Sequence, residues 1–486
     1  MRLSIIHYSL FIILALLIFR PILGPAWYPM HDSTHLTRLA LLTDTINSGQ
    51  FPPIWAEGIN NGYGYPLFHF YAPLFHLSSY AIHTLGFSLV TSLKLTLFFS
   101  SLIGAWGMMK WAGTVGAVVF ILSPYAALNL YVRGAYSEYL ALMILPWVFL
   151  ALERLTNRKQ VIIAACVLSL FFLSHNLVPL LAAPFILVWA LFNNKSHVKN
   201  LLITAILSFG LTAWFLLPVL LERGFTMTDA VAKTTDYALH FVRPSQIWNS
   251  TWGFGGSGPG LEDGMSFKLG KIQILLAAVG VIIALIERSS PAMLITCATI
   301  FFVFLATPLS RFLWDGLSVL QMVQFPWRSL GLVSILMSWL AGYAMGNIRS
   351  RPLRLGFTIL IIGSLLTLNL KYFVPQTLIA PPSPQRDIAS VVPEYMPRWM
   401  PTPPLPPAGP HERAYYPTWK VLVDGRSVPT SPNESGVLTY DNPTNSQNVQ
   451  LIQSHTNLEK ISYLLSLLTF LTLLLYYFFP KIYAKF

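Results

Sequence analysis

Apolar runs of about 20 residues recur along this chain, and a run of that length is what an α-helix needs to cross a bilayer core. They fall near residues 4–24, 88–108, 112–130, 138–153, 160–174, 177–193, 200–221, 271–287, 290–307, 328–347, 354–373 and 461–480. The pattern predicts an all-α polytopic membrane protein with about 12 transmembrane helices. One more run, Pro66 to Phe87, carries His69, His76 and His83 seven residues apart, which is one face of a helix. Counted as a span it would move Lys110, Arg154, Arg158 and Lys159 to the outside. It is therefore read as an amphipathic helix on the outer membrane surface, with the histidines solvated. Three longer polar stretches remain: loop 25–87, loop 222–270 and segment 374–460. The last begins as a Pro-rich linker, Pro381 to Pro410. Trp419-Lys420-Val421-Leu422-Val423 then runs into Asp424-Gly425, a hairpin signal. Val437-Leu438-Thr439-Tyr440 and Val449-Gln450-Leu451-Ile452 read as further strands. The expected layout is a membrane domain over 1–373, a linker and small extracytoplasmic β domain over 374–460, and a last helix with a cytoplasmic tail over 461–486.

Composition agrees: of 486 residues, 54% are hydrophobic and 10% charged, with a mean hydropathy of +0.58. The net charge of +12 suggests an anionic polymer as partner until its placement is considered. Lys110, then Arg154, Arg158 and Lys159, then Lys195 and Lys199, Arg288, then Arg349, Arg351 and Arg354, and finally Lys481 and Lys485 all fall in loops of one side. The positive-inside rule places that side and both termini in the cytoplasm. The basic excess is thus a topology signal, and nucleic acid is excluded as the partner. Of the 19 acidic residues, only Glu153 and Glu287 fall inside, so polar chemistry gathers on the outer face. The first apolar run lacks a small-residue cleavage site and is followed by Pro21-Ile22-Leu23-Gly24-Pro25, so it is read as a retained anchor. Cys166 and Cys297 are the two cysteines; both sit in apolar runs and read as small hydrophobes. The short loops and the absence of organelle signals point to a bacterial cell membrane.

The candidate chemistry lies just outside the first span. His31-Asp32-Ser33-Thr34-His35 places a carboxylate and two imidazoles at the membrane edge, where idle ionisable groups are costly. The two-histidine spacing is that of a zinc-protease helix, with Asp in the place of the usual Glu and no third ligand nearby. Capping of a short helix by Asp32 or Ser33 is a second reading, and a working carboxylate at Asp32 a third. Gly62-Tyr63-Gly64-Tyr65-Pro66 follows in the same loop. Tyr131-Val132-Arg133-Gly134-Ala135-Tyr136-Ser137-Glu138 ends the third span on the outer side. Arg133 and Glu138 form either a structural ion pair or a catalytic face on which Arg133 binds phosphate. His175-Asn176 faces outward between two spans. In Gln324-Phe325-Pro326-Trp327-Arg328, Arg328 is either an interfacial anchor or a second phosphate clamp. Lys94 is the clearest charge within a span. Gly253-Phe254-Gly255-Gly256-Ser257-Gly258 lacks the flanking elements and the Lys of a phosphate loop and reads as a flexible lid. Asn433-Glu434-Ser435 matches a glycosylation acceptor, a motif frequent by chance.

The order of these features resembles the GT-C superfamily of membrane glycosyltransferases, which use polyprenyl-phosphate-linked sugars. A narrower resemblance is to bacterial membrane proteins with the 6-pyruvoyl-tetrahydropterin-synthase-related domain, relatives of YfhO-type proteins. It is carried by His31-Asp32 with His35, Gly62-Tyr63-Gly64-Tyr65-Pro66, Ser174-His175-Asn176, Gln324-Phe325-Pro326-Trp327-Arg328, and Tyr416-Pro417-Thr418-Trp419-Lys420 with Val423-Asp424-Gly425. The chain shows no set of three histidines that would hold the zinc of a true pterin synthase. The resemblance implies a GT-C-like helix arrangement and a transferase of the cell envelope, with catalytic residues Asp32 and Glu138. It implies substrate contacts at His31, His35, Arg133, His175, Asn176, Arg328, Tyr63 and Tyr65. The partners implied are a polyprenyl-phosphate sugar donor, membrane lipids and a cell-envelope acceptor. GT-C enzymes often pair two acidic residues in the first outer loop, whereas Asp32 has His31 beside it, so a divalent metal held by Asp32, His31 and Glu138 is left open. The competing reading is a non-enzymatic transporter or lipid-handling protein, against which stand the lack of an internal repeat and the placing of polar groups at the outer rim.

Overall fold

A computed structural model describes residues 2–234, 236–383, 393–402, 404–407, 409, 412–442 and 446–478. Lys481, Lys485 and much of the Pro-rich linker lie outside the described residues. The chain divides into two compact units.

The first unit comprises Met1–Ser33, Leu77–Leu201 and Asp236–Pro382. Its central helix is Ser329–Gly346, apolar on every side and buried at nearly every position, as expected of a helix with no solvent face. It packs against Leu89–Ile121, Lys271–Glu287 and Ser290–Ala306, and Leu89–Ile121 packs in turn on Tyr136–Ala151 and Arg2–Phe19. Within the described residues, each of the twelve runs read from the sequence is mainly helical. Two of them, 88–108 and 112–130, share the element Leu89–Ile121, which breaks at Gly113 with φ 79°.

Among the described residues, five helices are long and apolar enough to cross a membrane: Leu89–Ile121, Val198–Leu221, Pro326–Gly346, Arg351–Tyr372 and Asn457–Leu475. A sixth arises if Ser290–Ala306 and Pro308–Gly316, bent by 88°, belong to one span. Several of the other runs form helices of only 16 or 17 residues, at the short edge of the roughly 17–25 needed to span. That is why length and composition give fewer crossings than the pattern predicts. Lys94, within Leu89–Ile121, donates from Nζ to the carbonyls of Gly24, at 2.8 Å, and Ala26. Its charge is spent on the loop that leads to His31.

The second unit comprises Thr34–His76, Leu202–Thr235 and Ser383–Phe486. It holds the helices His35–Asn47 and Asn457–Phe478 and five strands: β1 (Trp419–Val423), β2 (Arg426–Val428), β3 (Thr430–Pro432), β4 (Leu438–Tyr440) and β5 (Val449–Gln453). An antiparallel sheet runs β2-β1-β5, and β3 pairs with β4. The hairpin turn is Asp424-Gly425, both at positive φ, with Val423 opposite Arg426. Alternate residues of β1, namely Trp419, Val421 and Val423, enter a core with Trp55, Tyr63, Phe70, Met400 and Tyr416, as the two-residue period of a half-buried strand requires.

The histidine stripe of Pro66–Phe87 is not a solvated face. Two helices stand there, Leu67–Phe70 and Leu74–His83, because Tyr71 is extended after the first and Pro73 follows. The seven-residue spacing therefore does not describe one helical face. His69 and His76 are 4% and 2% exposed.

Candidate functional site

The first unit gathers its ionisable groups around one turn. After Leu128 the chain makes five residues of π-helix, Asn129–Arg133, and then Gly134 in the left-handed region at φ 66°. Inserted turns of this kind recur at functional sites. A Cβ on Gly134 would come within 2.5 Å of the Met30 side chain, so this position needs glycine both for its φ and for the approach of the first loop. The turn points Arg133 back over the first residues of the helix Tyr136–Ala151. Arg133 Nη1 and Nη2 donate to Glu138 Oε1 and Oε2 at 2.7 and 2.8 Å, a bidentate pair. Glu138 Oε1 also accepts from the Tyr125 hydroxyl at 2.8 Å and from Asn129 Nδ2 at 3.3 Å. Asn129 Oδ1 in turn accepts from Arg133 Nη1 at 2.5 Å. Both members of the pair are buried.

A second cation comes from the far end of the sequence. Pro326–Arg328 is a short 3₁₀ turn leading into the central helix. It brings Arg328 Nε to 3.8 Å from Glu138 Oε2. Arg328 Nη1 is fixed by the Val323 carbonyl at 2.6 Å. Trp327 covers Arg133, its ring centroid 4.5 Å from Cζ, and Phe325 lies 5.0 Å from Arg328 Cζ, a cation–π frame on both guanidinium groups. Two cations against one carboxylate leave this centre with a net positive charge.

The first loop is fastened to the same turn by its backbone. His31 N–H donates to the Val132 carbonyl at 3.1 Å, and Asp32 N–H donates to the Arg133 carbonyl at 2.8 Å. Tyr28 reinforces the junction, donating to the Leu130 carbonyl at 2.9 Å with the Tyr136 hydroxyl 2.6 Å away. Half-buried Asp32 therefore sits within electrostatic range of Arg133, Tyr136 and His175. The N-cap of the helix His35–Asn47 is Thr34, whose own side chain makes no capping hydrogen bond, so neither Asp32 nor Ser33 is the N-cap residue.

His175, between the helices Arg158–Ser174 and Leu177–Asn193, uses Nδ1 to accept from the N–H groups of Leu177 and Val178, both at 3.0 Å. That places the proton of its neutral form on Nε2. Burial pushes its pKa down to about 4, with Arg328 and Arg133 acting in the same direction against Glu138 and Asp32. Asn176 occupies the N-cap position of the following helix. Beside Arg328, Leu142, Leu181, Val323 and Leu332 line a small apolar void of about 10 Å³, too small for more than one water.

His31 is exposed, and its Nε2–H donates to the Phe254 carbonyl at 3.0 Å, in the Gly-rich run. Hydrogen bonds tie that run to the residues that follow it. Gly255 N–H donates to Gly264 O and Gly264 N–H to Gly256 O, each at 2.9 Å, and Asp263 Oδ1 accepts from Gly258 N–H at 2.9 Å. Its glycines let two backbones meet, since a Cβ on Gly253 would lie 2.2 Å from the Gly264 carbonyl oxygen.

Asp32, Glu138, Arg133, Arg328, His31, His175 and Asn176 thus belong to the first unit, whereas His35, Tyr63 and Tyr65 belong to the second. There His35 Nδ1 lies 3.4 Å from His76 Nε2. Tyr63 donates to the Leu405 carbonyl at 2.8 Å, and Tyr65 is buried and bridges to Ala56. The zinc-protease spacing fails because the helix starts only at His35. The metal set Asp32, His31 and Glu138 does not come together either: among the described residues the group with coordinating atoms in mutual reach is His69, Glu222 and Glu459. Glu138 is instead taken up by Arg133, Tyr125 and Asn129. Sequence reasoning missed Tyr125, Asn129 and the placing of Trp327. Of these, only Asn129, one helical turn before Arg133, left a readable spacing.

No family model matches the chain. A curated protein of Lactococcus lactis subsp. cremoris (strain MG1363), itself uncharacterised, is 25% identical over 213 residues, covering 38% of this chain and 34% of its own length. Among solved structures, the cryo-EM structure of the arabinofuranosyltransferase AftD from mycobacteria aligns with a TM-score of 0.53 and 15% identity, over 77% of this chain and 27% of that one. The crystal structure of ArnT from Cupriavidus metallidurans bound to undecaprenyl phosphate aligns at a TM-score of 0.45 and 14% identity, over 74% of this chain and 63% of that one. The chain spans about a third of the length of the curated relative and about a quarter of the arabinofuranosyltransferase. The likeness to the arabinofuranosyltransferase is one of fold, and it agrees with the largely helical membrane architecture expected from the sequence.

Proposed function

We propose that this chain is an integral-membrane glycosyltransferase that moves a sugar from a polyprenyl-phosphate carrier to a hydroxyl acceptor on the outer face of the cytoplasmic membrane. The observation that carries this reading is the positive centre formed by Arg133, Arg328 and Glu138, with Asp32 anchored beside it. In such a transfer the bond between the anomeric carbon and the phosphate oxygen breaks, and the carrier phosphate leaves with an added negative charge. Arg328, half-buried, is placed to receive that charge, and Arg133 adds to the field. The acceptor oxygen bonds to the anomeric carbon as its proton passes to a base, the role assigned to Asp32. Glu138 acts through Arg133, by fixing the guanidinium. His175, neutral, offers Nε2–H as a donor. By analogy, the fold likeness to a glycosyltransferase favours this reading over a transporter. The narrower kinship with YfhO-type proteins rests on the sequence motifs. In the same reading, about twelve crossings with cytoplasmic termini put 374–460 outside.

The test is transfer by the purified full chain in lipid, given radiolabelled polyprenyl-phosphate sugars and a membrane extract as acceptor source. Wild type should move label and Asp32→Asn should not, with an unchanged melting curve. Transfer by Asp32→Asn at the wild-type rate would remove Asp32 from the chemistry. Bound carrier lipid without transfer from any donor would favour lipid handling.

A further inference from the structure

The second unit contains a buried group of side chains that the transfer reading does not use. We propose that His69, Glu222 and Glu459 bind one divalent transition-metal cation of the zinc or manganese kind. His69 Nε2 lies 3.2 Å from Glu222 Oε2 and 3.5 Å from Glu459 Oε1, and the three coordinating atoms all lie within 4.8 Å of one another. Ligand bonds of about 2.0–2.1 Å in a tetrahedron put neighbouring donor atoms about 3.3 Å apart. The two distances from His69 bracket that value.

Each carboxylate is oriented by its other oxygen. Glu222 Oε1 accepts from Thr456 Oγ1 at 2.6 Å. Glu459 Oε2 is 2.9 Å from His455 Nδ1 and accepts from Thr456 N–H at 3.3 Å. Such outer hydrogen bonds fix the ligands of metal sites. A simpler origin exists for part of this: Thr456 and Glu459 form a capping box, since Thr456 Oγ1 also accepts from Glu459 N–H at 3.0 Å. The box accounts for Glu459 Oε2 and for nothing else. Glu459 Oε1 is buried, has no hydrogen-bond partner among the described residues and faces His69, in a residue 0% exposed. An ionised oxygen left so is costly. Two carboxylates, a neutral imidazole and a divalent cation are together neutral, as a buried site requires. The donor set, one nitrogen and two carboxylate oxygens without thiolate, suits zinc or manganese.

The full chain in detergent is stripped with a chelator, equilibrated with ZnCl2 or MnCl2, desalted, and its metal counted by plasma mass spectrometry. One ion per wild-type chain is expected, with a rise in Tm on adding the metal. Glu459→Gln keeps the capping box, because Gln serves at that position, and should fold while losing tenfold or more in metal affinity, with no rise in Tm. X-ray absorption of the wild type loaded with zinc should show a shell of nitrogen and oxygen with no sulfur, which tests the site even if a variant is unstable. A wild type that retains neither ion, or a Glu459→Gln chain that binds equally well, overturns the proposal. Neither result bears on Asp32, so this site and the transferase reading fail separately.

Discussion

Glu138 shows how much of the site is structural support for its cations. Its oxygens receive Arg133, Tyr125 and Asn129, and removing a carboxylate from a buried guanidinium leaves an uncompensated charge. Glu138→Ala should therefore cost roughly 3–5 kcal/mol, read as a fall in Tm or in the denaturant midpoint. The paired change Arg133→Met with Glu138→Leu removes both charges and should recover most of that stability, yet transfer should stay lost, because the phosphate would meet one cation fewer. Recovery of both would make the pair an internal strut. His175 gives a pH window. Its pKa is about 4 in the fold against about 6.5 when unfolded, so between those values the unfolded chain binds the proton first. Stability should fall as pH drops from 6.5 to 4, by at most about 3 kcal/mol, and level off below. His175→Asn leaves an acceptor for the Leu177 and Val178 N–H groups and removes the titration. Its Tm should depend less on pH across that window in a fluorimetric melt.

The turn that builds this centre is a local device with a readable signal, and the partners it meets are not. Arg133, Gly134 and Glu138 stand close in sequence, so an ion pair across a glycine turn could be read directly. That the turn is a π segment, and that Trp327 covers it, depends on packing that no local spacing encodes. Gly134→Ala places a Cβ at positive φ against Met30. It should destabilise the chain by about 2 kcal/mol and slow transfer by loosening the Asp32–Arg133 backbone contact. Gly134→Asn should be milder, since Asn tolerates the left-handed region, and Met30→Ala should relieve the steric part alone. The β1–β2 hairpin was legible for the same local reason: Asp424-Gly425 supplies both positive φ values. β3 escaped because Thr430–Pro432 is three residues long and ends in proline. The histidine stripe misled because periodicity assumes an unbroken helix, and the extended residue at Tyr71 interrupts it.

Hydropathy located the long apolar helices because their stretches are nearly continuous, so periodicity was not needed to find them, but it reads the more polar His35–Asn47 as part of a loop. It could not count crossings, since a 16- or 17-residue apolar helix satisfies the pattern whether it spans a bilayer or packs within protein. Orientation rests on a different signal, the gathering of Lys and Arg in alternate loops. That signal is testable without any knowledge of the substrate. In a chain with Cys166 and Cys297 replaced by Ser, single cysteines are introduced at Glu262, in the Gly-rich loop of the first unit, and at Lys159, in the first turn of the helix Arg158–Ser174; both positions are exposed. The positive-inside rule puts Lys159 in the cytoplasm and Glu262 outside. A membrane-impermeant maleimide applied to intact cells should label Glu262→Cys and leave Lys159→Cys untouched until the membrane is permeabilised. The reverse pattern would turn the chain over and place Asp32, Arg133 and Arg328 on the cytoplasmic face. The donor chemistry of those residues would be unchanged, but the acceptor would then have to be sought among cytoplasmic molecules instead of the cell envelope.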